Sequence, residues 1–82
     1  MTATLFNALS TFEQMEIIWE RGVFLAEREG KKFRYKLYQV DGFYIEEIRY
    51  LKWNLLYTYR CFNDPSLLEV YFSAIEIKDI FK

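Results

Sequence analysis

The strongest constraint on the fold is a run of aromatic and β-branched residues between positions 23 and 62, broken only by short turn signals. Tyr, Phe, Ile and Val all favour strands. Asp41-Gly42 predicts a two-residue type I′ hairpin turn, and Gly30-Lys31 predicts another two-residue turn. A weaker signal spans residues 51–54, where Asn54 can adopt the left-handed conformation. Three short connections between four extended segments predict an antiparallel meander.

The segments on either side of this meander have helical patterns. Ser10 and Glu13 have the spacing of a capping box, and Gly22 suits the end of the same helix. Asp64 followed by Pro65 is typical of the start of a second helix. The first helix is expected to pack on the sheet through the apolar residues at helical spacing, which are Phe12, Met15, Ile18 and Trp19. In the second, residues 67–81 form an apolar arc wider than a surface helix needs.

This order of elements predicts the fold class. With 82 residues, the chain has room for one hydrophobic core. We therefore expect a single α-β-β-β-β-α domain over residues 1–82, of the α+β class. It has an N-terminal helix, a four-stranded antiparallel β-meander and a C-terminal helix, with both helices packed on one face of the sheet.

The turn positions also predict which residues pair across the strands. They place Glu27 opposite Arg34 and Lys36 opposite Glu47, and these opposite-charge pairs support the register. Neighbouring strand residues point to opposite faces, so Glu46 and Glu47 cannot converge on one bond as a pair of catalytic carboxylates.

Glu46 is the unusual residue of this register, because it falls on the apolar face of the sheet. A buried carboxylate needs hydrogen-bond partners. The predicted register surrounds it with tyrosines, which gives a candidate ligand pocket formed by Glu46, Tyr35, Tyr57 and Tyr59. The alternative is a structural glutamate held by hydrogen bonds, with no ligand. Glu47 is expected to face water beside Lys36.

A second candidate site lies at the Asp41-Gly42 end of the outer face. Apolar side chains collect there and predict an interaction surface, formed by Tyr38, Val40, Phe43, Ile45 and Phe62. This surface indicates a homodimer or a contact with another protein. The alternative is that Leu5 and Phe6, or Ile80 and Phe81, fold over it.

Composition argues against most other functions. The chain has no histidine and one cysteine, Cys61, and it contains no glycine-rich phosphate loop. We therefore expect no enzymatic activity, catalytic residue, metal site or cofactor. The net charge of −1 argues against binding to nucleic acid or to a membrane. In the stretch KKFRYKLY, the basic residues are expected to point away from the aromatic ones.

Taken together, these features predict a small cytoplasmic protein that acts as a non-catalytic protein-interaction or self-associating module. The single cysteine is consistent with a reducing compartment. The alternative function is a small-molecule-binding domain built around Glu46 and the tyrosines between sheet and helices.

Overall fold

The computed structural model describes residues 1–71 of the 82. Their elements are α1 (Ala3–Asn7), α2 (Thr11–Arg21), β1 (Val23–Glu29), β2 (Phe33–Val40), β3 (Phe43–Tyr50), β4 (Leu56–Phe62) and a 3₁₀ turn (Pro65–Leu68). Residues 69–71 are helical, and the rest of the predicted C-terminal helix lies outside the described residues. No helix within residues 1–71 has the length and apolar character needed to cross a membrane.

The ends of α2 follow the sequence signals closely. The Ser10 hydroxyl accepts a hydrogen bond from the Glu13 amide (3.2 Å), and the Glu13 carboxylate accepts one from the Ser10 amide (3.0 Å). The two bonds confirm the capping box, and the one from the Ser10 amide to the carboxylate lowers the pKa of Glu13. At the other end, a Cβ on Gly22 would lie 2.5 Å from the Ile18 carbonyl oxygen, so glycine is needed where α2 turns into β1.

The four strands form one antiparallel sheet in the order β1-β2-β3-β4, which confirms the meander. The β2–β3 register is as predicted, with Val40 opposite Phe43 and Lys36 opposite Glu47. The predicted turn type is wrong, however. Asp41 has a φ of 51° while Gly42 has no positive φ, whereas a type I′ turn requires positive φ at both residues.

The β1–β2 register differs from the predicted one by two residues. Glu27 pairs with Lys36 and Glu29 with Arg34, because the Gly30 amide donates to the Phe33 carbonyl (2.8 Å) and the turn is Lys31-Lys32. From Ala26 to Glu29, the shift of two leaves the side chains on their predicted faces. A bulge between Phe24 and Ala26 makes the shift one residue at the start of β1, so the side chains of Val23 and Phe24 exchange faces. Arg34 still lies beside Glu27, with 3.8 Å between the guanidinium and the carboxylate.

The β3–β4 register contains the most consequential departure. The loop at residues 51–54 is confirmed, since the Tyr50 amide donates to the Leu55 carbonyl (2.9 Å) and Asn54 has a φ of 54°. Beyond the loop, Ile48 pairs with Thr58 but Arg49 pairs with Leu56, so Tyr57 is an extra residue in β4. This bulge shifts the rest of β4 by one position and moves its side chains to the opposite faces.

The sheet is covered on both faces, so the prediction that both helices pack on one face is wrong. On the first face, α1 and α2 bury a cluster of Phe6, Ile18, Val40, Phe43 and Ile45. On the second, Leu37 and Phe62 pack with Leu68 and Tyr71 of the C-terminal segment. The prediction failed because it treated the apolar residues of one face as surface. The α+β class, with helical segments before and after a four-stranded sheet, is confirmed.

Candidate functional site

Glu46, in the middle of β3, is buried on the second face with 3% of its surface exposed. The Tyr71 hydroxyl donates a hydrogen bond of 2.5 Å to Glu46 Oε2. Burial raises the pKa of Tyr71, and the hydrogen bond and charge of Glu46 raise it further, so this hydroxyl keeps its proton and acts as a donor. Two arginines balance the carboxylate, with Arg28 Nη2 3.6 Å from Oε2 and Arg60 Nη1 3.9 Å from Oε1.

Arg28 connects this carboxylate to the aromatic side chains around it. Its guanidinium lies 3.8 Å from the ring centroid of Tyr35 and 5.3 Å from that of Tyr71. Two buried atoms, Arg28 Nε and Glu46 Oε1, have no hydrogen-bond partner in the described part of the chain. A cleft of about 210 Å³ opens beside them, lined by Arg28, Glu46, Arg60, Phe62, Ser66, Leu67, Glu69 and Val70.

The predicted burial of Glu46 is confirmed, but its predicted tyrosine partners are not brought together. Tyr35 contacts Arg28 rather than Glu46. Tyr57 is the bulged residue and is 56% exposed. Tyr59 lies opposite Glu47 and packs against the cluster on the first face, since the bulge moves it across the sheet. The position that the prediction gave to Tyr59, opposite Glu46, is taken by Arg60.

Sequence reasoning missed Tyr71 as the hydrogen-bond partner of Glu46. It counted Tyr71 only as one apolar residue of the last helix. A tyrosine in the middle of a buried helix face is the available signal, because a buried hydroxyl needs a polar partner.

The predicted interaction surface is not a surface. Val40, Phe43 and Ile45 are at most 2% exposed and lie beneath α1 and α2, where Phe6 covers them. Phe62 is buried on the other face, and Tyr38 is half-buried. The alternative, that Leu5 and Phe6 fold over this patch, holds for Phe6, while Leu5 is 58% exposed and Ile80 and Phe81 lie outside the described residues. The predicted exposed patch of Tyr38, Val40, Phe43, Ile45 and Phe62 is therefore wrong.

The exposed apolar residues instead lie on α2. The side of α2 that packs on the sheet carries Gln14, Ile17 and Ile18. The side-chain amide of Gln14 donates a hydrogen bond to the Phe6 carbonyl (2.9 Å). As a result Phe12, Met15 and Trp19, which were predicted to pack on the sheet, are 69%, 44% and 90% exposed. Phe24 on the neighbouring edge strand is 53% exposed and lines the same groove as Met15 and Trp19. We call these four side chains the α2 surface: Phe12, Met15, Trp19 and Phe24.

A groove of about 380 Å³ runs between α2 and the sheet beside this surface. It is lined by Met15, Ile18, Trp19, Gly22, Phe24, Tyr38, Glu47, Arg49 and Tyr59. Glu47 is 8% exposed rather than solvated as predicted, and Arg49 Nε donates to it at 3.0 Å. Burial and the charge of Glu47 raise the pKa of Tyr59 to about 12. Aromatic side chains therefore form most of the groove, and its two charged residues, Glu47 and Arg49, pair with each other.

The α2 surface and the cleft beside Glu46 are the two candidate functional sites among the described residues. Within residues 1–71, no group of three or more acidic or cysteine side chains is arranged to hold a metal ion. Comparison with protein-family models, curated proteins and solved structures gives no match.

Proposed function

We propose that this protein is a non-catalytic interaction module that binds a basic amphipathic segment of another protein through the α2 surface. The observation that supports this proposal is the row of exposed apolar side chains on α2, with Trp19 at 90% exposure. On a small protein, a contiguous patch of this kind usually marks a contact site. Its three aromatic side chains present about 450 Å², roughly half of what one partner buries in a standard interface.

The charge beside the patch indicates the kind of partner. Glu13, Glu16 and Glu20 lie on α2 at positions that place them along one flank of the apolar row. A basic partner would pair with these carboxylates. In a two-fold dimer the same surface of the two protomers meets, so the three glutamates of one protomer would lie near the three glutamates of its partner. Charge therefore favours another protein over the homodimer expected from the sequence.

The shape beside the patch supports a helical partner with an apolar anchor. Amphipathic helices dock their apolar face into hydrophobic grooves, with anchor residues at helical spacing. The groove between α2 and the sheet has aromatic walls formed by Trp19, Phe24, Tyr38 and Tyr59. An anchor side chain buried there would be surrounded by the α2 surface, which excludes water as the rim of an interaction hot spot does.

Fluorescence anisotropy with two synthetic peptides tests the proposal. Both peptides carry leucines at the same helical spacing, and their remaining positions are lysine in one and glutamate in the other. We expect the lysine peptide to bind and the glutamate peptide to bind far more weakly. Trp19→Ala should weaken binding by at least about 30-fold, the effect of removing an aromatic hot spot.

The second tryptophan provides the matched control. Trp53 is 60% exposed and lies in the β3–β4 loop, away from α2, so Trp53→Ala should leave peptide affinity unchanged. Equal binding of the two peptides, or equal effects of the two tryptophan substitutions, would refute the proposal. Sedimentation of the free protein tests the homodimer. If the free protein is a dimer and Trp19→Ala dissociates it, the α2 surface binds a second copy of this chain rather than a basic partner.

A small-molecule site at Glu46 is the second candidate function. It is supported by the buried, unpartnered Glu46 Oε1 beside a cleft of about 210 Å³. A ligand with an N–H or O–H donor would satisfy this oxygen. Thermal-shift measurements with small amines and alcohols should show stabilisation of the native protein and none of Glu46→Leu. Equal shifts for both proteins would exclude Glu46 as the site.

We also propose a cytoplasmic location, supported by the state of Cys61. Its thiol is half-buried and donates to the Ala3 carbonyl (3.4 Å), and burial raises the pKa of the thiol. Such a thiol is a poor nucleophile and forms no intramolecular disulfide, which fits a reducing compartment.

A further inference from the structure

Three lysines and a tryptophan meet at the end of the sheet opposite the Asp41-Gly42 turn. The Leu51 amide donates to the Lys32 carbonyl (2.9 Å), which joins the β1–β2 turn to the β3–β4 loop. Between them lies a cleft of about 580 Å³, lined by Lys31, Lys32, Tyr50, Leu51, Lys52 and Trp53. No described lining residue is acidic, and none of the three lysines forms an ion pair with another residue in 1–71.

The aromatic side of this cleft is held in place by its neighbours. Trp53 is 60% exposed, and its ring centroid lies 5.7 Å from that of Tyr50 in an edge-on arrangement. Tyr50 packs in turn on Phe33 (5.1 Å) and Tyr57 (5.4 Å). Lys52 Nζ lies 5.4 Å from the Trp53 ring. The indole is therefore an exposed aromatic face supported by an aromatic cluster, with an ammonium group beside it.

We infer that this cleft binds a nucleobase joined to a phosphate, as found in a nucleotide or in single-stranded nucleic acid. Stacking on an exposed aromatic ring and neutralisation of phosphate by lysine are the two interactions that such ligands use. The volume is in the range of small-ligand sites. The inference is independent of the α2 surface, because the cleft shares no residue with it.

Sequence analysis considered Lys31 and Lys32 only as the start of the stretch KKFRYKLY and did not connect them with Lys52 and Trp53. In β2, Arg34 and Lys36 do point away from Phe33 and Tyr35, as expected from strand alternation. The lysines of the cleft come instead from a turn and a loop that are 20 residues apart in the chain and adjacent in space. The net charge of −1 conceals this local excess of positive charge.

The fluorescence of Trp53 provides the first test. The chain has two tryptophans, so Trp19→Phe leaves Trp53 as the only one. We expect a short oligothymidylate and thymidine monophosphate to quench its emission at low salt, and inorganic phosphate to bind far more weakly. Tighter binding of the oligonucleotide would identify single-stranded nucleic acid as the source of the ligand, and equal affinities would identify free nucleotides.

Anisotropy of a labelled oligothymidylate then tests the residues. Three phosphate contacts predict about an 18-fold loss of affinity between roughly 50 and 200 mM salt. Lys52→Gln should lower the slope of log K against log salt by about 0.7. Trp53→Ala should weaken binding by about 5- to 150-fold. Lys36→Gln is the matched control, because Lys36 lies on the sheet outside the cleft. It should change the salt slope less than Lys52→Gln does and the affinity less than Trp53→Ala does.

Three results would overturn the inference. They are the absence of quenching at low salt, binding of phosphate alone as tightly as of the nucleotide, and equal salt slopes for Lys52→Gln and the wild type. Lys52 and Trp53 are both exposed, so their substitution should leave the circular dichroism spectrum unchanged. A loss of binding therefore reports on the cleft rather than on unfolding.

Discussion

Replacing Tyr71 with phenylalanine should destabilise the protein strongly, because it removes the hydrogen bond to a buried carboxylate. Glu46 is 3% exposed, its Oε1 already lacks a partner in residues 1–71, and the arginine contacts at 3.6 and 3.9 Å are longer than hydrogen bonds. A hydrogen bond to a charged group contributes about 1.5–3 kcal/mol. We expect a value near the upper limit, because Tyr71→Phe would leave both oxygens of the buried carboxylate without a hydrogen bond within the described part of the chain. We expect the free energy of unfolding to fall by about 3 kcal/mol, out of a total of roughly 4–12 kcal/mol for a domain of this size.

Urea unfolding followed by far-UV circular dichroism measures this change, with Tyr57→Phe as the control. Tyr57 is 56% exposed, so loss of its hydroxyl should change the unfolding free energy by less than about 0.5 kcal/mol. A double-mutant cycle isolates the bond, since Tyr71→Phe should cost much less in a Glu46→Leu background. The reasoning is refuted if Tyr71→Phe costs no more than Tyr57→Phe, or costs the same with and without the Glu46 carboxylate.

Two further predictions concern Tyr59 of β4 and Asn54 of the β3–β4 loop. The pKa of Tyr59 is raised from 10.0 to about 12 in the folded protein, so the unfolded chain loses this proton first and stability is lost as the pH rises from 10 to 12. Tyr59→Phe should therefore make the unfolding free energy fall less steeply over that interval in urea titrations, and an unchanged slope would contradict the assignment. Asn54 has a φ of 54°, so Asn54→Ala should lower the unfolding free energy by about 1 kcal/mol while Asn54→Gly is close to neutral. Equal midpoints for these two variants would show that the loop does not require the left-handed conformation.

Local sequence signals predicted much of the fold because each of them acts over a few residues. The capping box at Ser10 and Glu13, the pairing of Val40 with Phe43 and the left-handed Asn54 all depend on neighbouring chemistry. Such signals specify where elements begin and end and how adjacent strands are joined. They were therefore visible without knowledge of the tertiary structure.

The bulge at Tyr57 could not be predicted in this way, and it decided the outcome for the candidate pocket. No glycine or turn residue marks it, since Tyr57 lies between Leu56 and Thr58 in a run that favours a regular strand. One extra residue exchanges the faces of everything beyond it. For this reason Arg60 instead of Tyr59 came to lie opposite Glu46.

The orientation of α2 was equally hidden, because both sides of this helix are apolar. Ile17 and Ile18 could face the sheet, and so could Phe12 and Met15. The hydrogen bond from Gln14 to the Phe6 carbonyl accompanies the arrangement that buries the isoleucines. It joins α2 to α1 through a tertiary contact that periodicity does not contain.

The emission of Trp19 tests the central claim, that the α2 surface is a binding site, most directly. In Trp53→Phe, Trp19 is the only tryptophan and its side chain is 90% exposed. Addition of the basic leucine-lysine peptide should shift its emission to shorter wavelength as the ring is buried, with saturation at the affinity measured by anisotropy. Saturable peptide binding that leaves Trp19 emission unchanged, or a complete absence of binding, would contradict the account.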